Sequence, residues 1–220
     1  MPESTLNLAV VTGGHSYDVP NLHLLFRSLE SIEPCIQHID DFASSPKDVR
    51  QSYDAVVFYI MLMDGPSDDV PWYAGKPKTA LGELGQTPQG IVVLHHALLA
   101  YPQWQKWHEI VGIDDRRFVF YFGQRIRVDV ADTAHPITSG LTSWEMPDET
   151  YAMADAEPAN GNQILLTANH PRSMKTLAWT RLHGNSRVFC LQSGHDNLTW
   201  SDPNFRQLLQ RGILWSAGRI

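Results

Sequence analysis

Residues 6–14, Leu-Asn-Leu-Ala-Val-Val-Thr-Gly-Gly, make a near-continuous apolar run closed by two glycines. A run of this kind reads as a strand covered on both faces, as in a parallel sheet, because a half-solvated strand would alternate apolar with polar residues. Working outward, residues 20–30 place Leu22, Leu25, Phe26 and Leu29 on one face at helical spacing. A second strand follows over residues 35–39, a short helical link over 48–52, a third strand over 54–60 and a fourth, Gly-Ile-Val-Val-Leu-His-His, over 90–96. Strands alternating with helices imply right-handed crossovers and a mostly parallel central sheet.

The second half has a different rhythm. Residues 118–122 and 125–130 alternate as strands do and read as a hairpin with Gly123-Gln124 at its tip. Further strands are expected over 163–168, 176–180 and 187–193, the last two joined by a turn at Gly184-Asn185. These are antiparallel additions at one edge. A tryptophan-rich helix is expected over 101–112, and a closing helix over 203–217, with Asp202 as N-cap and Pro203 in its first turn. No repeat or linker interrupts residues 1–220, so one domain is expected. Residues 63–89 are dense in glycine and proline and predict a long irregular insertion. Trp72 and Tyr73 within it call for burial, against the sheet edge or against a second copy in a homo-oligomer.

The net charge of −7 and the absence of any basic run longer than Arg116-Arg117 argue against nucleic acid as a partner. No apolar run approaches the ~20 residues of a membrane span, and the first residues carry no basic segment ahead of an apolar one. A cytoplasmic protein with no membrane partner is the expectation. Cys35 and Cys190 lie in apolar strand-like runs without metal-type spacing and are expected to be buried free thiols.

Ligands of parallel sheets bind outside the carboxyl ends of the strands. Three strands deliver histidine there: Gly13-Gly14-His15, His95-His96-Ala97 and Gly194-His195-Asp196. Histidine exchanges protons near neutral pH and ligates metals, so this convergence predicts a site. His15, His95 and His195 would together suit a divalent cation of the zinc type, although no motif demands a cofactor. His96 is the weaker candidate, because adjacent residues leaving a strand point to opposite faces. In the segment Pro147-Asp148-Glu149-Thr150-Tyr151, the paired carboxylates could supply acid and base or orient a histidine.

The pieces GGH (13–15), VVLHHAL (92–98), AHPITSGL (134–141), PDETY (147–151), the long series at 177–205 and GILWSAG (212–218) occur in order along nearly the whole chain. Together they resemble the ThuA-like, or trehalose-utilisation, family. The resemblance implies an α/β fold of the flavodoxin-like, class I glutamine amidotransferase-like kind: a three-layer sandwich around the central sheet. In those amidotransferases a cysteine occupies a tight strand-to-helix turn. Here the corresponding strand ends in Leu94-His95-His96-Ala97, so thiol-dependent amidotransferase chemistry is disfavoured. By the same resemblance His95 takes the elbow region and His195 lies near the place of the triad histidine.

Two functions remain open. The resemblance implies carbohydrate metabolism, with trehalose or a related keto-disaccharide as substrate and a hydrolase, lyase or isomerase as the activity. His95, His195, Glu149 and Asp196 would then act by acid–base or metal-assisted chemistry. His15, Tyr121, Tyr151 and Trp200 would hold the sugar. The other reading is a non-catalytic binding or assembly subunit that kept the fold and lost the thiol. The mutual distances of the histidines discriminate between them.

Overall fold

The computed structural model describes residues 5–220. In chain order its strands and helices are β1 (Leu6–Gly13), α1 (Val19–Arg27), β2 (Ile32–His38), α2 (Ile39–Ser44), α3 (Lys47–Gln51), β3 (Ala55–Ile60) and α4 (Pro77–Gly82). Next come β4 (Gly90–Leu94), α5 (Gln105–Val111), β5 (Val119–Val130), β6 (Trp144–Ala152), β7 (Gln163–Thr167) and β8 (Thr176–His183). The chain closes with β9 (Ser186–Leu191), α6 (Asn197–Trp200) and α7 (Pro203–Ser216).

The strands form one sheet in the order β2-β1-β3-β4-β9-β8-β7-β5-β6. Alternate residues of each central strand feed two cores. Leu8 and Val10 of β1, Val92 and Leu94 of β4, and Phe189 and Leu191 of β9 pack with α1 and α7. Ala9, Val11, Ile91, Val93, Val188 and Cys190 pack on the other face with α2, α4 and α5. This gives the helix–sheet–helix layering expected of an α/β fold, and it explains the continuous apolar runs of β1 and β4.

The expectation of a mostly parallel sheet needs correction. The pairs β1–β2, β1–β3, β3–β4 and β4–β9 are parallel. The pairs β5–β6, β5–β7, β7–β8 and β8–β9 are antiparallel, so the sheet is mixed. The cause lies in the connections. Helices carry the chain across the sheet up to β4, whereas from β5 to β9 no α-helix intervenes and the strands fold back on their neighbours.

The expected hairpin over 118–130 is also corrected. It is one strand, β5, paired with β6 from Val119 to Val128 and with β7 at Asp129 and Val130, and its register with β6 slips between Tyr121 and Gln124. Gly123, at φ +60°, makes a bulge there instead of a turn. The turn at Gly184-Asn185 and the Asp202 cap are as expected; Asp202 accepts from Asn204 N and Phe205 N at 2.9 Å each.

Three further expectations fail. Cys35 is exposed, because β2 is the outer strand of the sheet, while Cys190 is buried in the centre. The insertion at 63–89 contains a regular element, α4, with Pro77 in its first turn where a missing N–H costs nothing. Trp72 is 91% exposed and Tyr73 is exposed too; the two rings pack on each other at 6.0 Å. No helix among the described residues is long and apolar enough to cross a membrane.

Candidate active site

β4 delivers Leu94 to the core and then turns sharply, with His95 at φ +53° leading into a short 3-10 turn, His95–Leu99. A non-glycine residue in this region is strained by about 1–3 kcal/mol and persists only where the surroundings hold it. The strand-to-turn elbow is the geometry that α/β enzymes use to present a reactive side chain. What holds His95 is visible. Its Nδ1 lies 2.7 Å from Gln192 O, just past β9, and its Nε2 lies 2.7 Å from the Tyr151 hydroxyl.

These contacts assign the tautomer. Gln192 O can only accept, so Nδ1 carries a hydrogen. Tyr151 is buried, and burial followed by the nearby Glu149 charge pushes its phenol well above the ordinary value. It therefore keeps its proton beside His95 Nε2 and Glu149.

Around Nε2 the ligating atoms converge. His195 Nδ1 is 3.3 Å from His95 Nε2. Glu149 Oε1 is 3.6 Å from His95 Nε2, and Glu149 Oε2 is 3.5 Å from His195 Nδ1. One ligand atom from each of the three residues falls within a common 4.8 Å. His95 is buried outright, Glu149 nearly so, and the His195 side chain is 23% exposed, so the cluster opens to solvent at His195. Burial, then the neighbouring His95, lower the His195 pKa and keep its imidazole neutral near pH 7. Burial also works to raise the Glu149 pKa, but its contacts with His95 and His195 outweigh that and hold it ionised.

The loop after β9 is clasped by Asp148. This buried carboxylate accepts from Glu149 N (2.9 Å), Gly194 N (3.2 Å), His195 N (3.2 Å) and Thr199 Oγ1 (2.9 Å). Burial pushes its pKa up, against His95 and these donors. The paired carboxylates of 148–149 thus divide their work: Glu149 faces the histidines and Asp148 holds the backbone that carries His195.

The remaining candidates lie elsewhere. His15 is exposed at the end of β1 and does not join the triangle; its ring rests 4.7 Å from that of His96. It lines a separate cleft of about 360 Å³ with Thr12, Tyr17, His23, His38 and Asp41. His96 is buried, with Nδ1 3.0 Å from Ile60 O, and burial followed by the neighbouring His95 drives its pKa down to about 2. Asp196 caps α6, accepting from Leu198 N at 2.9 Å. Trp200 is buried and donates to Gly194 O at 2.8 Å, so it supports the loop and offers no face to a ligand. Tyr121 is half-buried beneath the Arg172 guanidinium at 5.3 Å. Sequence reasoning missed Asp148 as the clasp, Gln192 as the orienting carbonyl, and Phe122, whose ring lies 5.4 Å from that of His195.

The fold defines a class: an α/β protein with the amidotransferase-like fold, here carrying a buried histidine–glutamate–histidine cluster. A glutamine amidotransferase from Thermotoga maritima shares the fold at TM-score 0.57 and 8% identity, covering 98% of this chain and 99% of that one. The family described as ThuA, trehalose utilisation, matches residues 40–216, and the chain belongs to it. A putative ThuA-like protein from Parabacteroides merdae aligns at TM-score 0.74 and 20% identity over 99% of this chain and 92% of that one. A protein of Salmonella typhimurium, described as cytoplasmic, aligns at TM-score 0.67 and 13% identity over 96% and 99%. At these identities the structural likenesses bear on fold alone. No curated protein matches the chain.

Proposed function

We propose that this protein is a cytoplasmic enzyme of carbohydrate metabolism that processes trehalose or a related keto-disaccharide at a divalent-metal centre formed by His95, Glu149 and His195. One observation carries the reading: the ligand triangle of 3.3, 3.5 and 3.6 Å. Zinc–nitrogen bonds of 2.0–2.1 Å in a tetrahedron require ligand atoms about 3.3 Å apart. Two histidines and a carboxylate leave a fourth position open, as catalytic zinc sites do. The Nδ1–H of His95 on Gln192 O is the outer contact that typically orients a metal-binding imidazole.

A bound ion of this type supplies Lewis acidity toward a sugar carbonyl or hydroxyl. The chain's own groups do the rest. Neutral His195, at the solvent edge, gives Nδ1 to the ion; without the ion the same nitrogen could instead take a proton from substrate or water. Tyr151, kept protonated by burial, braces His95 from within the cluster. The strained elbow holds His95 rigid, and Asp148 fixes the backbone beneath His195. The substrate is a small carbohydrate rather than nucleic acid or membrane, in keeping with the net charge of −7. Trp72 and Tyr73 offer a contact for a second copy in a homo-oligomer.

The test is metal analysis of the purified protein, followed by a keto-sugar screen with and without chelator. The expected result is about one divalent ion per chain, lost in Glu149→Gln and His195→Ala, with turnover that chelator removes. A chain that takes up no zinc at micromolar concentrations and is inert to these sugars would favour the non-catalytic binding subunit, whose supporting observation is the missing thiol.

A further inference from the structure

We propose that Phe118, Phe120 and Phe122 form an aromatic wall that receives the pyranose ring of the substrate beside the reacting cluster. The inference deepens the reading of His95, Glu149 and His195 as that cluster and rests on it.

The argument starts from strand register. In the β5–β6 ladder Phe120 stands opposite Tyr151, and Tyr121 opposite Thr150. The next pair is Gln124 with Asp148, so Phe122 and Gly123 together oppose Glu149. Directly paired residues of antiparallel strands point to the same face. Phe120 therefore shares the face of Tyr151, and Phe122 that of Glu149. Tyr121 points the other way, to Arg172. The bulge at Gly123 re-aims the strand at this point, a device common beside active sites.

Ring contacts agree with the register. Phe118 meets Tyr151 edge-on at 5.8 Å, Phe122 meets His195 at 5.4 Å, and Phe120 bridges to Phe122 at 5.1 Å. Phe120 is 50% and Phe122 61% exposed. Phenylalanine has no polar tip that would make such exposure favourable, so two adjacent exposed rings on one strand call for an occupant. The occupant follows from continuity. His195 is where the cluster reaches solvent, and Phe122 is the ring beside it, so a molecule reacting there lies against the wall. A pyranose presents a flat face of C–H bonds, whose positive edges suit the negative face of an aromatic ring. Tyr121, Tyr151 and Trp200, the residues expected to stack on sugar, are turned away or buried, which leaves this role to the phenylalanines.

The experiment titrates trehalose and methyl α-D-glucopyranoside into the zinc-loaded protein and follows saturation transfer from aromatic to sugar protons by NMR. Zinc content and sedimentation are measured on the same samples. The variants are Phe120→Ser/Phe122→Ser, which removes exposed rings only, and Phe122→Trp. The wild type should transfer saturation to sugar C–H protons. The double variant should bind about tenfold more weakly, the loss expected for an aromatic contact, with zinc content unchanged. Phe122→Trp should retain binding. Equal sugar affinity in the double variant overturns the proposal. So does a wild-type dimer that the double variant dissociates without change in sugar affinity, since the wall would then be a contact between copies. Zinc uptake with no sugar binding in the wild type refutes the wall alone. Ring-dependent sugar binding without zinc uptake supports the wall and refutes the metal reading of the cluster.

Discussion

Replacing Asp148 with alanine should unclasp the loop that carries His195 without touching any ligand atom. Four donors lose their acceptor: Glu149 N, Gly194 N, His195 N and Thr199 Oγ1. A buried donor left unsatisfied costs about 1–3 kcal/mol, and water entering the vacated space keeps each near the lower figure. The loss is then about 4 kcal/mol, within the roughly 5–15 kcal/mol by which domains are stable, so the variant folds. For a chain of this length about 2–4 °C accompanies each kcal/mol, giving a fall in Tm of roughly 8–16 °C by calorimetry. Asp148→Asn keeps an oxygen acceptor and should lose less than half as much. Zinc affinity should drop in both variants, since His195 Nδ1 is placed by a backbone that Asp148 anchors. A Tm within 2 °C of wild type, together with unchanged zinc retention, would refute the clasp.

Other perturbations follow from single contacts. A Cβ on Gly212 would run into the buried Phe189 ring, so Gly212→Ala should cost about 1–3 kcal/mol by urea denaturation despite improving helix propensity. His135 is held below its ordinary pKa by burial, against Asp132, and its Nδ1 accepts from Ile137 N at 3.2 Å. Its folded pKa being the lower one, the unfolded chain binds the extra proton, so its contribution is intact above pH 6.5 and is lost as pH falls toward the folded value. Stability measured between pH 7 and 5 should therefore decline less steeply in His135→Asn, whose amide oxygen can accept in place of Nδ1, by up to about 1.4 kcal/mol per pH unit. A thiol reagent should label Cys35 alone in the native protein and both cysteines in denaturant; rapid native labelling of two would contradict the burial of Cys190.

Much of this was readable locally. The apolar runs of β1 and β4, the Asp202-Pro203 helix start and the Gly184-Asn185 turn each depend on neighbours in sequence. His95 and His195 were legible because a strand end is itself a local signal. What failed depended on remote pairing. Gly123 looks like a turn until β6 supplies a partner over residues 144–152 and converts it to a bulge. The same pairing makes Pro147-Asp148-Glu149-Thr150-Tyr151 part of the strand that carries Glu149 inward. Cys35, Trp72 and Tyr73 were misjudged because an apolar residue type does not reveal whether its strand is outermost or whether anything covers a loop.

The strand order has a consequence for how the chain is made. β9 follows β4 by about a hundred residues in the chain, yet it lies beside it in the sheet, between β4 and β8. Until the ribosome has passed residue 191, the four strands of the first half end on a bare β4, whose residues Gly90–Leu94 are all apolar or glycine and destined for burial. An unpaired apolar edge invites pairing with another nascent chain. The growing polypeptide thus spends the synthesis of about a hundred residues, some 5–20 s at usual elongation rates, with this apolar strand open. That interval is the one a chaperone would have to guard, and a chain truncated before β9 should be recovered insoluble.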